Sequence, residues 1–156
     1  MKVSIIKHIL SIFILFISIT IYAQKGGEID IENSVVKTIN DANLQWGPCP
    51  SFMPDGCNIA VLHGDPSKNN VDILFKIKGG SDIPNHWHSS PERMILLSGK
   101  LSVTYEDETT QVMETGSYAY GPSNKKHTAK CLSKEPCVIF IAFEDPLDAF
   151  AVESKK

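Results

Sequence analysis

Short apolar stretches alternate with turn-forming residues about every ten residues along most of this chain, and the spacing predicts β-strands. The expected strands cover residues 58–62, 71–77, 93–97, 101–105, 111–113, 118–120, 126–132 and 138–143. Several alternate apolar and polar positions with a period of two. Val71, Ile73, Phe75 and Ile77 share one face of a strand, as do Leu101, Val103 and Tyr105. Regularly spaced short strands argue for an all-β sandwich or barrel over alternating strands and helices. Ahead of them, residues 24–43 are polar and read as a flexible arm or weak edge element. Residues 44–56 carry three prolines and two glycines and read as an ordered, irregular loop. One short helix is expected near the end, over residues 147–152 after Pro146. There is no internal repeat and no low-complexity segment.

The N-terminus breaks this pattern. Lys2 and Lys7 precede an apolar run from Ile9 to Ile21, and Tyr22-Ala23 leads into polar sequence. A basic start, an apolar centre and a small residue before the cut are the layout of a secretory signal, with cleavage expected after Ala23. The run is about 13 residues, short of the ~20 that span a bilayer as a helix. Losing Lys2 and Lys7, with no acid lost, takes the formal charge from −3 to −5. A mildly acidic domain without a basic block offers no electrostatic case for nucleic acid or an anionic membrane. The reading is an exported protein, periplasmic or secreted. Its parts are a signal peptide (residues 1–23), an arm and Pro/Cys-rich loop (24–56), a barrel (57–146) and a C-terminal tail (147–156).

Two stretches carry the chemistry. In the first, Gly80 is followed after five residues by His86-Trp87-His88, after three more by Glu92, and after six more by Gly99. Histidines two apart on a strand point to the same face, and Glu92 follows a turn at Pro91 that can aim its carboxylate back at them. Two imidazoles and a carboxylate suit a first-row divalent ion. In the second stretch, Gly116, Gly121-Pro122 and Asn124 lead to His127 at the start of a later strand.

Together these stretches resemble the paired motifs of the cupin superfamily. Gly80, His86, His88, Glu92 and Gly99 match the first motif without a gap, and Gly116, Pro122 and His127 match the second. Asn124 stands where the second motif has glycine, and Cys131 where it has asparagine. Neither departure removes a ligand, and Asn tolerates the left-handed backbone that Gly often supplies. Five fixed residues, each used at about 7% or less, coincide at roughly two in a million starting positions. The resemblance covers residues 58–145 and implies a jelly-roll barrel, the double-stranded β-helix. It further implies one divalent metal ion (Fe, Mn, Zn, Ni or Cu) bound by His86, His88, Glu92 and His127.

Other residues have plainer roles. Gly80, Gly99 and Gly116 suit tight turns. Met94 and Leu96 share parity with Glu92 and are expected to line the cavity beyond the metal. Arg93 has the opposite parity, Trp87 faces away from the metal, and His63 sits in a turn outside the ligand set. Tyr105, Tyr118 and Tyr120 are expected to pack in the core with hydrogen-bonded hydroxyls. Cys131 and Cys137 enclose a hairpin-like tip, and a bridge there would set His127 opposite Ile141. Cys49 and Cys57 flank the proline-rich loop as a natural second pair, although four cysteines permit three pairings. Four strand residues put Cys131 ~13 Å from His127, too far for it to share the metal.

A metal held by three histidines and one carboxylate keeps open positions, which is what distinguishes a catalytic site from a structural one. The leading expectation is an oxidoreductase, of dioxygenase or oxidase type, acting on a small organic molecule. The alternatives are a non-catalytic ligand- or metal-binding or sensory cupin, or a cupin isomerase or lyase. The expected partner is a small-molecule substrate or ligand, with no nucleic acid and no membrane after signal cleavage. A homodimer is the assembly to be considered.

Overall fold

The period-two alternation becomes strands throughout the part of the chain that can be described. A computed structural model describes residues 33–153, and its regular structure is entirely β, in eleven strands. These are β1 (Trp46–Pro48), β2 (Asn58–His63), β3 (Val71–Ile77), β4 (Asp82–Trp87), β5 (Glu92–Ser98), β6 (Lys100–Tyr105), β7 (Gln111–Glu114), β8 (Tyr118–Gly121), β9 (His127–Cys131), β10 (Cys137–Phe143) and β11 (Phe150–Ala151). Residues 36–156 are assigned to one compact unit. Of the unit before it, residues 33–35 are described and carry no regular structure. The expected signal segment, its cut after Ala23, and His8 lie outside the described residues. Among the described residues no helix is long and apolar enough to cross a membrane.

Two antiparallel sheets carry the fold. One has the strand order β1-β2-β3-β10-β5-β8, the other β11-β4-β9-β6-β7. The main core draws from both: Ile73, Phe75, Ile139, Ile141 and Leu96 from the first, Ile83, Leu101, Val103 and Met113 from the second. This is the face-to-face packing of a jelly roll, with alternate side chains inward. A smaller apolar cluster of Leu44, Ala60, Leu74 and Val138, with Ile39, Trp46 and Leu62 against it, uses the alternate positions of the first sheet. Part of the predicted irregular loop is therefore a strand. Trp46–Pro48 pairs with β2, and the Lys76 ammonium lies 3.8 Å from the centre of the Trp46 ring.

Three expectations need correction. Residues 147–152 form no helix. Leu147 N–H donates to Pro66 O at 2.9 Å, Phe150 pairs with Trp87, and Val152 N–H donates to Asn85 O at 2.9 Å. The free edge of β4 captures this segment as β11, and the two aromatic rings stack at 4.4 Å. Second, β9 and β10 are not hairpin partners. β9 pairs with β4 and β6, β10 with β3 and β5, so His127 faces His86 and Tyr105 instead of Ile141. The chain changes sheets between Cys131 and Cys137, because a jelly roll closes by crossing from one layer to the other. Ile139, Ile141 and Phe143 nevertheless point inward, since parity does not depend on the partner strand. Third, Tyr118 and Tyr120 are exposed, on the edge strand β8; only Tyr105 belongs to the core.

Both expected cysteine pairs are bridged, Cys49–Cys57 with Cα atoms 5.5 Å apart and Cys131–Cys137 at 5.8 Å. The second bridge ties the two sheets together and is fully buried. Replacing Cys131 and Cys137 together by alanine frees a short loop in the unfolded chain and should cost about 2 kcal/mol. Thermal unfolding should show Tm lower by roughly 5–10 °C with the β circular-dichroism spectrum kept. An unchanged Tm would contradict a structural role for this bridge.

Candidate metal centre

Strand register stacks the barrel interior in layers. In one sheet His86 faces His127, which faces Tyr105; in the other Val71 faces Phe143, which faces Glu92, which faces Gly121. These residues form one layer, and it holds His86, Glu92 and His127. His88 follows on the chain just past β4 and joins them. All four expected ligands are buried and line the same cavity of about 240 Å³. Nitrogens of His86, His88 and His127 all lie within 4.8 Å of one another, close enough for one ion to be shared.

Each imidazole is anchored by its rear nitrogen. His86 Nδ1 lies 2.7 Å from Pro84 O, His127 Nδ1 lies 3.1 Å from Lys125 O, and His88 Nδ1 contacts Asp148 O. A carbonyl only accepts, so each Nδ1 carries a proton. His86 and His127 as neutral rings keep the lone pair on Nε2, whereas His88 Nε2 hydrogen-bonds Glu92 and would present its lone pair once an ion takes that proton's place. His88 Nε2 is 2.8 Å from Glu92 Oε1, and His127 Nε2 is 3.8 Å from Glu92 Oε2. Anchored rings with a common free nitrogen are the usual support behind metal-binding histidines.

The electrostatics agree with a cation site. His86 is pushed down to about 4, first by burial and then by neighbouring His127 and His88. Burial also lowers His127. Burial alone would lower His88, but its hydrogen bond to Glu92 and the Glu92 charge outweigh that and raise it. Burial would raise Glu92, yet the His88 hydrogen bond and the surrounding imidazoles hold it below its ordinary value. Glu92 Oε2 is buried and accepts no hydrogen bond. A buried carboxylate oxygen facing imidazole lone pairs fits a divalent ion, whose charge would satisfy both.

Local structure fixes these positions. Asn124 takes the left-handed backbone with φ 60°, as its place in the glycine position of the second motif requires, and its N–H donates to His88 O at 2.7 Å. At Gly121 a Cβ would stand 2.6 Å from the Tyr105 hydroxyl and 3.1 Å from Glu92 Oε2, so only glycine leaves room there. The Tyr105 ring lies 5.0 Å from that of His127; contrary to expectation its hydroxyl has no hydrogen-bond partner, and burial raises its pKa.

Two positioning residues carried no signal in the sequence. Ser90, fully buried between His88 and Glu92, accepts from Glu144 N and Asp145 N at 3.0 Å each and donates to Pro91 O at 2.9 Å. Asp148 gives its carbonyl to His88 and its carboxylate to Ser89 N–H and Ser89 Oγ. Both act through residues remote in sequence, which spacing does not reveal. The bystanders fall where parity put them. Arg93 is exposed and pairs with Glu144, and Trp87 stacks on Phe150. Met94 lines the cavity, whereas Leu96 lies deeper, in the packed core. His63, expected in a turn, instead ends strand β2, half-buried and opposite Asp72 in register, in the sheet that carries neither His86 nor His127.

The sequence profile of the ChrR cupin-like domain family matches residues 34–145, and the chain belongs to that family. No curated protein sequence matches it. Several solved structures share the fold. A protein with a double-stranded β-helix domain from Klebsiella pneumoniae is 15% identical at TM-score 0.55, covering 65% of this chain and 89% of its own. A DMSP lyase from Ruegeria pomeroyi is 17% identical at TM-score 0.61, over 72% of this chain and 64% of its own. An oxalate decarboxylase from Bacillus subtilis with Mn(II) centres is 21% identical at TM-score 0.54, over 62% and 28%. The chain thus spans less than two thirds of the lyase and under a third of the decarboxylase.

The buried Ser90 hydroxyl generates a test of this framework. Ser90→Ala takes the acceptor from the N–H groups of Glu144 and Asp145 and should cost about 0.5–1.5 kcal/mol. Chemical denaturation should report that loss, together with weaker metal retention because His88 and Glu92 lose the residue that holds their turn. Stability within a few tenths of a kcal/mol of the parent would show that this hydroxyl does not brace the site.

Proposed function

We propose that this cupin is a metal-dependent enzyme acting on a small organic molecule inside the barrel. His86, His88, Glu92 and His127 hold one divalent ion, and the chemistry is oxidative, of dioxygenase or oxidase type. The observation that carries the reading is the set of three imidazoles anchored at Nδ1, whose nitrogens cluster within 4.8 Å of one another beside a buried carboxylate. Such a mixed nitrogen and oxygen set suits Fe or Mn first, with Zn, Ni and Cu as the other candidates. When bound, the ion supplies a Lewis acid with open positions and, as Fe or Mn, redox chemistry.

The chain's own residues bind, orient and exclude water. Four ligands out of six leave up to two positions for substrate and co-reactant. The cavity walls are apolar, which keeps the reacting groups dry and strengthens each electrostatic contact. Outside the ligand set, the one ionisable side chain on the cavity wall among the described residues is Asp148, whose carboxylate is engaged by Ser89. A lyase or isomerase needs a positioned general base, and this wall offers no independent one. That favours chemistry centred on the ion. Export accompanies this reading. Two disulfides support an oxidising compartment, and an intact Met1 on the native protein would count against it.

Metal analysis of protein from its native compartment, followed by an oxygen-uptake screen of small organic compounds, tests the proposal. One ion per chain and substrate-dependent oxygen consumption are expected. Because His127 alone reaches the site from β9, His127→Ala should retain at least tenfold less metal after equal dialysis while keeping the β fold. Equal metal content in variant and parent would refute the ligand assignment. A full metal complement with turnover but no oxygen consumption would replace oxidation by lyase chemistry, and metal without any turnover would leave a binding protein.

A further inference from the structure

The register that assembles the ligands also dictates what lies beneath them. One step down from the metal layer, Ile83, Ala129 and Val103 face one another across the second sheet, and Ile73, Ile141 and Met94 across the first. All six line the cavity. The step below contributes Leu101, Phe75 and Ile139 to the same wall, and beyond it the Cys131–Cys137 bridge closes the barrel. On the other side of the ligands the cavity is bounded by Pro50, Met53, Leu147 and Ala149. No lysine, arginine, asparagine, glutamine, serine, threonine or tyrosine side chain lines it among the described residues.

A bound molecule therefore meets the ion with its four ligands, hydrocarbon, and one further polar side chain, the Asp148 carboxylate, which Ser89 already engages. A second charge or strong hydrogen-bonding group on that molecule would be buried with no partner, at a cost of several kcal/mol. Ala129 is the smallest side chain in the layer next to the ligands, and it opens the space beside His127. About 240 Å³ holds on the order of eight waters, or a ligand of nine or ten non-hydrogen atoms. Resting on the metal-centred reading above, we infer that the substrate is a small molecule with a single metal-coordinating oxygen head and an uncharged, apolar body of about four to six carbons. Dicarboxylates and sugars are excluded by the same wall.

A series of hydroxamates on the zinc-loaded protein, read by calorimetric titration, tests the assignment. Acetohydroxamate supplies the oxygen head alone, butano- and hexanohydroxamate add methylenes, and succinomonohydroxamate carries a carboxylate at its tail. Burial of each methylene strengthens binding roughly fourfold, so hexanohydroxamate should bind at least tenfold tighter than acetohydroxamate. Succinomonohydroxamate should bind no tighter than acetohydroxamate. In Ala129→Leu, where the added side chain fills the space beneath the ion, the gain from acetyl to hexanoyl should shrink below threefold. The series in the parent protein decides the matter even if that variant fails to fold. A protein that keeps its zinc but shows a flat series, or prefers the carboxylate tail, overturns the apolar-substrate assignment alone. A protein that retains no zinc overturns the metal-centred reading and this inference with it.

Discussion

Everything at the centre of this barrel depends on three hydrogen bonds made on the far side of three imidazole rings. Pro84 O, Asp148 O and Lys125 O each take the Nδ1 proton of a histidine. An imidazole fixed in that way has its tautomer and its ring plane settled before any ligand arrives. Two of the three anchors are carbonyls two residues upstream of their own histidine, in β4 for His86 and in the turn before β9 for His127, so the local chain that delivers the ring also locks it. The third reaches His88 from the C-terminal segment, which β11 holds against β4. The C-terminal segment is thereby part of the site although none of the four side chains proposed as ligands belongs to it.

This arrangement explains how a core can hold four ionisable side chains. Burying them unpaired would be expensive. The cost is limited because burial holds His86 and His127 toward the neutral form, because Glu92 and His88 compensate each other through their hydrogen bond, and because the layer below contains no further polar group to satisfy. The polar requirement is confined to one level of the barrel. The levels beneath supply hydrophobic stabilisation, and the buried bridge between Cys131 and Cys137 closes the end. The same separation divides the cavity into a polar level and an apolar interior.

Much of this was legible in the sequence, for identifiable reasons. Period-two alternation gave the inward set of β3 and β6 because parity is a property of one strand, independent of its neighbours. The resemblance to the two cupin motifs put His86, His88, Glu92 and His127 together, and the structure brings these four side chains to one cavity. The Asn124 departure from glycine was readable as a left-handed turn, and its φ of 60° agrees. Pairing was not legible. The hairpin expected between Cys131 and Cys137 is a crossing between sheets, since a five-residue tip suits either path. The tail beyond Pro146 looked helical because a short segment of mixed polarity has no strong period, and the edge of β4 decided it instead. Ser90, Asp148 and the close approach of Gly121 to Glu92 depend on tertiary contacts that no local pattern encodes.

The account stands or falls on the direction in which the three rings point. Histidine nitrogen-15 NMR on zinc-loaded and metal-free protein reads that directly, because the protonated and metal-bound ring nitrogens have distinct shifts and couplings. The account predicts that His86, His88 and His127 all carry the proton on Nδ1, and that zinc shifts Nε2 in all three together. Protonation on Nε2 in any of them when zinc is bound, or a zinc titration that leaves the three rings unshifted, would contradict it.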